Sequence, residues 1–273
     1  MSRLASLLES DRPLVMGILN VTPDSFYDGG DFLRLDHALA HAEQMIDEGA
    51  DIIDVGGEST RPGAESVSAG DELNRVLPII KAIRTMSNVA ISIDSSKAEV
   101  LEEVARHDID LINDVRALAE VGALEVIAQT DLPVCLMHMK GEPGKMQDNP
   151  YYDDLIEDLL VFFNERIKAC RSAGIDASRI ILDVGFGFGK SAAHNLELIN
   201  KLDRFAELGL PLLVGLSRKS TIGKIVDDRL IGSVSGALAA INKGAHIVRV
   251  HDVGPTVTAI KVWRSIAAER VID

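Results

Sequence analysis

Short runs of aliphatic and β-branched residues punctuate the chain at 15–21, 51–55, 89–93, 111–115, 133–137, 180–184, 211–216 and 246–250. Within these eight runs apolar residues follow one another instead of alternating with polar ones. That is what a parallel strand covered on both faces requires, whereas a half-exposed antiparallel strand alternates. Segments of helical periodicity lie between them: Ala38, Met45 and Ile46 mark a stripe after the first run, and Leu155, Leu159, Phe162, Phe163 and Ile167 another after the fifth. Helix starts are signposted by Ser96 with Glu99 three residues on, a capping-box pattern, and by Pro255, which suits the first turn of the last helix. Eight strand–helix units predict a single (β/α)8 TIM barrel over residues 1–273, with its active site at the C-terminal ends of the strands. A doubly wound open sheet is the competing architecture, but no dinucleotide fingerprint follows the first run. The longest irregular stretches, 23–31 and 58–70, follow strands one and two and read as active-site loops.

Composition sharpens this picture by exclusion. Hydrophobic residues make up 47% of the 273 positions and charged residues 26%, in keeping with a large core under a solvated shell. A formal net charge of -14 would repel a phosphate backbone or an anionic bilayer, so nucleic acid and membrane are excluded as expected partners. No stretch approaches the ~18 apolar residues of a membrane span, and the leucines near the amino terminus alternate with charge instead of forming a signal-peptide core. A cytoplasmic protein is expected. Cys135 and Cys170 share no metal-ligand or redox spacing and read as buried thiols.

In such a barrel the polar residues that end the apolar runs are the candidates for chemistry. They are Asn20, Glu58 with Arg61 beyond it, Asp94, Asn113 with Asp114, His138, Asp183, the 217–220 stretch with Arg218 and Lys219, and finally Arg249, His251 and Asp252. Helix capping or loop ordering accounts for some: Ser96 reads as a cap, and Asp114 and Asp252 as partners of neighbouring amides. It accounts poorly for Asp94, Asn113 and Asp183, which a barrel turns toward one another across its mouth. Two carboxylates and an amide suit a flat heterocycle that donates several N–H groups, as a pterin edge does. Arg61, Lys219, Arg249 and His251 supply the local positive charge that a diphosphate needs on an acidic protein. The stretch 185–191 ends like a phosphate-binding loop, yet Val184 stands where that pattern requires glycine. Its glycines let backbone pass close to a bound ring, with Phe186 or Phe188 as apolar wall or, equally, as core.

The motifs at 16–26 (MGILNVTPDSF) and 54–63 (DVGGESTRPG) resemble the two signature loops of bacterial dihydropteroate synthases. The resemblance continues through 93–97, 112–114, 136–139, 185–190, 217–220 and 249–253, and so covers essentially the whole chain. It implies a homodimeric, sulfonamide-sensitive transferase of folate synthesis that uses Mg2+ to join p-aminobenzoate to 7,8-dihydropterin-6-ylmethyl diphosphate. By motif, Asp94, Asn113, Asp183 and Lys219, lined by Met137, would hold the pterin. Asn20, Arg61, Arg249 and His251 would hold the diphosphate, with Asn20 also on the metal. Thr60, Pro62, Phe188, Gly189 and Ser220, with Phe26, would form the p-aminobenzoate pocket, and Asp28 would approach the reacting carbon. Asp28, Asp94, Asp183 and Lys219 are the implied catalytic set. Val184, Ser95 and Ala98 depart from the commoner Pro, Thr and Pro of such enzymes. A pterin-binding methyltransferase domain would share the acidic cluster but needs no diphosphate site, and an inactive pterin-binding scaffold needs no intact set of tips.

Overall fold

The eight apolar runs form eight parallel strands: β1 (Leu14–Asn20), β2 (Ile52–Gly56), β3 (Ala90–Asp94), β4 (Leu111–Asp114), β5 (Val134–Met137), β6 (Ile180–Asp183), β7 (Leu212–Val214) and β8 (Ile247–Val250). This computed structural model describes residues 3–10, 12–21, 31–59, 66–141, 146–147 and 149–272, the side chains of 31–34 excepted. The strands are hydrogen-bonded in sequence order into a closed barrel. β8 returns to β1 with Leu14 opposite Ile247 and Gly17 opposite Val250. The barrel thus matches the expected (β/α)8 fold, with strand boundaries shifted by at most two residues.

Because side chains alternate across a strand, every second residue of each strand faces the barrel interior. The floor is a layer with a member from every strand: Leu14 and Met16, Ile52, Ala90, Leu111, Cys135, Ile181, Leu213 and Ile247. Two or more positions further along the same inward register stand Asn20, Asp54, Asp94, Asn113, Met137, Asp183 and Arg249. The apolar floor and the polar mouth are therefore successive layers of one stack. The opposite register, including Val15, Ile53, Ile91 and Ile112, packs under the helices in the larger outer core.

The helical stripes follow the expected spacing. In α2 (Asp31–Asp47) Ala38 and Met45 are buried, and in α6 (Leu155–Ser172) Leu155, Leu159 and Phe163 are buried with Phe162 and Ile167 against them. An element not foreseen in the sequence is α1 (Arg3–Leu8), which caps the floor: Leu4 is fully buried against the inner layer, and Arg3 pairs with Asp108 at 2.7 Å and Asp110 at 3.2 Å. Both cysteines are buried, and no helix among the described residues is long and apolar enough to cross a membrane.

Three local readings are corrected. Ser96 and Glu99 form no capping box: α4 (Ala98–Val104) begins after Lys97 with no side-chain cap, and the Ser96 hydroxyl donates instead to Asp114. A carboxylate within reach is the stronger acceptor for that hydroxyl. The second long stretch ends earlier than 70, because Ser68 caps α3 (Ala69–Met86) by accepting from the Asp71 amide at 3.1 Å. Asp252 precedes α10 (Val253–Ala267) without capping it, its carboxylate being taken by the Arg218 guanidinium. Pro255 does lie in the first turn of α10, and Asp114 does satisfy amides, those of Arg116 at 2.8 Å and Leu118 at 2.7 Å.

Candidate active site

At the mouth, Asp54 of β2 is wholly buried, and its Oδ2 accepts from Arg249 Nε at 2.6 Å and from Asn113 Nδ2 at 3.1 Å. Arg249 Nη2 donates in turn to Asp94 Oδ2 at 2.8 Å. One guanidinium from β8 thus ties the tips of β2 and β3 together and, through Asp54, fixes the amide of β4. An ionised Asp54 only accepts, so the amide nitrogen of Asn113 faces it. That leaves the Asn113 carbonyl oxygen and one N–H for a ligand.

Asp183 of β6 accepts from the Gly185 amide at 2.8 Å, and Lys219, in the loop that follows β7, is its main counter-charge. Three carboxylates, Asp54, Asp94 and Asp183, therefore face two cations, Arg249 and Lys219. The groups perturb one another as burial dictates. Desolvation pushes the Asp94 carboxyl up to about 7, with Asp54, Glu72 and Asp114 adding to the rise and Arg249 opposing it. Desolvation pulls the Lys219 ammonium down to about 8 against the attraction of Asp183. Burial also raises Asp183. Arg249 is held charged by Asp54 and Asp94 despite its burial.

The β6–α7 segment, ahead of α7 (Ala192–Asn200), forms the adjoining wall. Phe186 is buried in the core, while Phe188 is half exposed with Lys219 Nζ 4.5 Å from its ring centroid, which separates the two phenylalanines that sequence left as equals. Gly189 is buried at φ +63°, and a Cβ there would lie 2.2 Å from the Lys140 carbonyl oxygen. Met137 is buried at the tip of β5, and Ser220 is exposed as the first residue of α8 (Ser220–Ile225). His251, half buried beyond β8, meets the Ser217 hydroxyl through Nδ1 at 3.1 Å. Asn20 ends β1 with its amide oxygen over Gly56: a Cβ on that glycine would lie 3.5 Å from Asn20 Oδ1 and 3.6 Å from Asp94 Cβ.

The structure thus brings together Asp94, Asn113, Asp183, Lys219 and Arg249, with Asn20, Met137 and Phe188 around them. Arg249, expected at an anion site, spans the carboxylates. His138 turns away from the mouth to Lys190, at 2.9 Å from Nδ1. Phe26, Asp28, Thr60, Arg61 and Pro62 lie outside the described residues. Glu58 stands at the foot of the second loop, bonded to the Val67 amide at 3.0 Å and to Lys97 at 2.6 Å, and Lys97 also holds the buried Glu72 at 2.5 Å. Two residues were missed by sequence reasoning. Asp54 carried a signal, being a lone charge at an inward position between Ile52 and Gly56; Lys190 showed only as part of the 185–191 pattern, with nothing to mark its burial against His138.

A barrel whose strand tips present buried carboxylates, an amide and two cations defines a class of proteins that bind polar heterocycles at the mouth. Residues 16–251 match the family model described as pterin binding enzyme. The chain is 53% identical over 264 residues to the dihydropteroate synthase of Haemophilus influenzae, covering 95% of this chain and 96% of that one. The dihydropteroate synthase of Yersinia pestis, solved in a sulfonamide drug complex, superposes with a TM-score of 0.90 at 52% identity, covering 94% of this chain and 95% of that one. That of Xanthomonas albilineans, solved with 4-aminobenzoic acid, superposes with a TM-score of 0.89 at 46% identity, with 94% of each chain covered. The chain belongs to the pterin-binding enzyme family and, within it, to the dihydropteroate synthases, which are transferases.

Proposed function

We propose that this chain condenses 7,8-dihydropterin-6-ylmethyl diphosphate with p-aminobenzoate, giving 7,8-dihydropteroate and pyrophosphate for folate synthesis in the cytoplasm. The observation that carries the residue-level reading is the Asp94–Arg249–Asp54–Asn113 chain of hydrogen bonds, closed by Asp183 and Lys219. It supports a cleft in which the pterin ring donates to the acceptors of Asp94, Asn113 and Asp183, with Met137 against its face and Lys219 beside it. Lys219, Arg249, His251 and Arg61 would take the diphosphate.

Breaking the C–O bond to diphosphate first leaves a methylene cation delocalised into the pterin. Asp94 and Asp183 lie beside it, and Asp94, once ionised above about 7, supplies charge of the sign that stabilises such a cation in a low-dielectric site. The p-aminobenzoate nitrogen, neutral at physiological pH, then adds its lone pair to the methylene carbon. The proton it sheds passes to water or to an oxygen of the departing pyrophosphate, so the cluster need supply no strong base. Phe188, Gly189 and Ser220, with Phe26, Thr60 and Pro62, would hold the ring and carboxylate of p-aminobenzoate, and Asp28 would add negative charge near the reacting carbon.

Mg2+ fits this mouth. The protein donor would be a neutral amide oxygen, the Oδ1 of half-buried Asn20 beside Gly56, and Mg2+ prefers one or two protein oxygens with the remainder from water and phosphate. When bound it would offset charge gathering on the leaving diphosphate. The further proposal of a homodimer rests on an apolar groove of about 700 Å3 between α7, α8 and α9 (Arg229–Asn242), where Leu196 (50%), Ile225 (56%) and Ile231 (61%) are exposed. A second copy would cover it.

A pyrophosphate-release assay with the pterin diphosphate, run with and without p-aminobenzoate and Mg2+, tests the activity. Turnover that needs all three is expected, and release indifferent to p-aminobenzoate would refute the reading. A sulfonamide should compete with p-aminobenzoate in the same assay.

A further inference from the structure

Lys190 is 2% exposed and lies outside the set of side chains that would touch either substrate, and burial pulls its ammonium down to about 7 against the attraction of Asp183. Burying an ammonium is costly unless its N–H groups are satisfied, and Met would fill the same space without that cost. Its Nζ is within reach of four acceptors: His138 Nδ1 at 2.9 Å, the Gly185 carbonyl at 3.0 Å, the Phe188 carbonyl at 3.1 Å and, more distantly, the His138 carbonyl at 3.5 Å. The three shorter contacts satisfy the three N–H donors of an ammonium. His138 is suited to its part, since burial and the neighbouring Lys190 hold its imidazole neutral, pulled down to about 2, and a neutral ring has one nitrogen free to accept.

The effect is to fold the 185–189 segment onto the tip of β5. Gly185, at φ +66°, passes so close that a Cβ would fall 1.8 Å from the His138 carbonyl oxygen. The far end is tied separately, by the Tyr152 hydroxyl donating to the Gly189 carbonyl at 2.8 Å. Between these anchors the segment offers the Phe186 carbonyl to Lys219 and lays the Phe188 ring beneath the same ammonium. The Phe188 wall therefore depends on a segment whose Gly185 and Phe188 carbonyls Lys190 holds, whereas the Phe186 carbonyl that Lys219 meets is not one of them.

We propose that Lys190 is a positioning residue for the p-aminobenzoate side of the site, gathering the 185–189 backbone around its ammonium so that Phe188 and Gly189 form the pocket wall. The inference rests on the proposed assignment of that wall to p-aminobenzoate. Without the ammonium, Gly185 and Phe188 lose their common partner and the segment relaxes toward the mouth. Asp94, Asn113 and Arg249 lie on other strands and keep their geometry.

The experiment is steady-state kinetics and calorimetry on Lys190→Met and, independently, on His138→Phe, which keeps an aromatic ring and deletes the acceptor. For both variants KM for p-aminobenzoate should rise at least tenfold, while affinity for the pterin diphosphate alone stays within about threefold. Should Lys190→Met fail to fold, His138→Phe carries the test. A folded variant whose KM for p-aminobenzoate stays within twofold of the parent overturns the inference, as does an equal loss of affinity for both substrates. A parent that never turns over p-aminobenzoate overturns the reading of the whole site instead.

Discussion

Asp54 accepts from both Arg249 and Asn113 while fully shielded from solvent. Removing one partner of a buried ion pair leaves the other charge uncompensated, at a cost of about 3–5 kcal/mol. Asp54→Asn should therefore lower kcat/KM for the pterin diphosphate by at least ~100-fold and reduce the melting temperature, seen in initial rates and calorimetry. Asp94→Asn keeps shape but removes charge, and should depress kcat by ~10²–10³; unchanged turnover would exclude cation stabilisation there. Asp94 is ionised above about 7 and Lys219 protonated below about 8, so the active combination peaks between the two. The pH profile of kcat/KM for the pterin diphosphate should be a narrow bell, with the acid limb lost in a variant at Asp94 and the alkaline limb in one at Lys219. Asp94, Asn113 and Asp183 were legible in sequence because each stands at or next to the polar end of an apolar run. Asp54 lies one inward step deeper, and its role emerges only when the two-residue period is followed from Ile52 to Gly56. Lys190 stood out only as part of a near phosphate-loop pattern, and its burial could not be foreseen, since it depends on the chain folding back to His138, 52 residues away in sequence.

Among the elements, strands were readable from the continuity of apolar runs, because a strand covered on both faces has little room for polar residues. Helix beginnings were less so: Ser96 had a second, stronger partner on β4 that no local pattern reveals. The amino-terminal helix α1 was invisible for a related reason. Its six residues are too short to show a periodic stripe, and only the open floor of the barrel gives Leu4 a place to go. Leu4→Ala should cost about 2–5 kcal/mol, the range for a buried leucine, and appear as a lower midpoint in chemical denaturation. KM for either substrate should stay at the parent value, because α1 lies at the end of the barrel remote from the mouth.

The molecule as a whole separates its tasks by end and by side: floor sealed by α1, mouth lined by charge, and an apolar flank on α7, α8 and α9. A charge placed on that flank tests the proposed pairing of two copies. Ile231→Glu, at a position 61% exposed, should leave each barrel folded and convert a dimer to a monomer in light scattering; an unaltered mass would exclude this face. Finally, the bond between Arg249 and Asp54 spans 195 residues, and β8 completes the ring only by pairing with β1. During synthesis the carboxylates of β2, β3 and β6 emerge well before the guanidinium that reconciles them. A chain stopped short of β8 has the carboxylates but neither the closed ring nor Arg249 to hold Asp54 and Asp94, and should gain less thermal stability from a pterin ligand than the full barrel does.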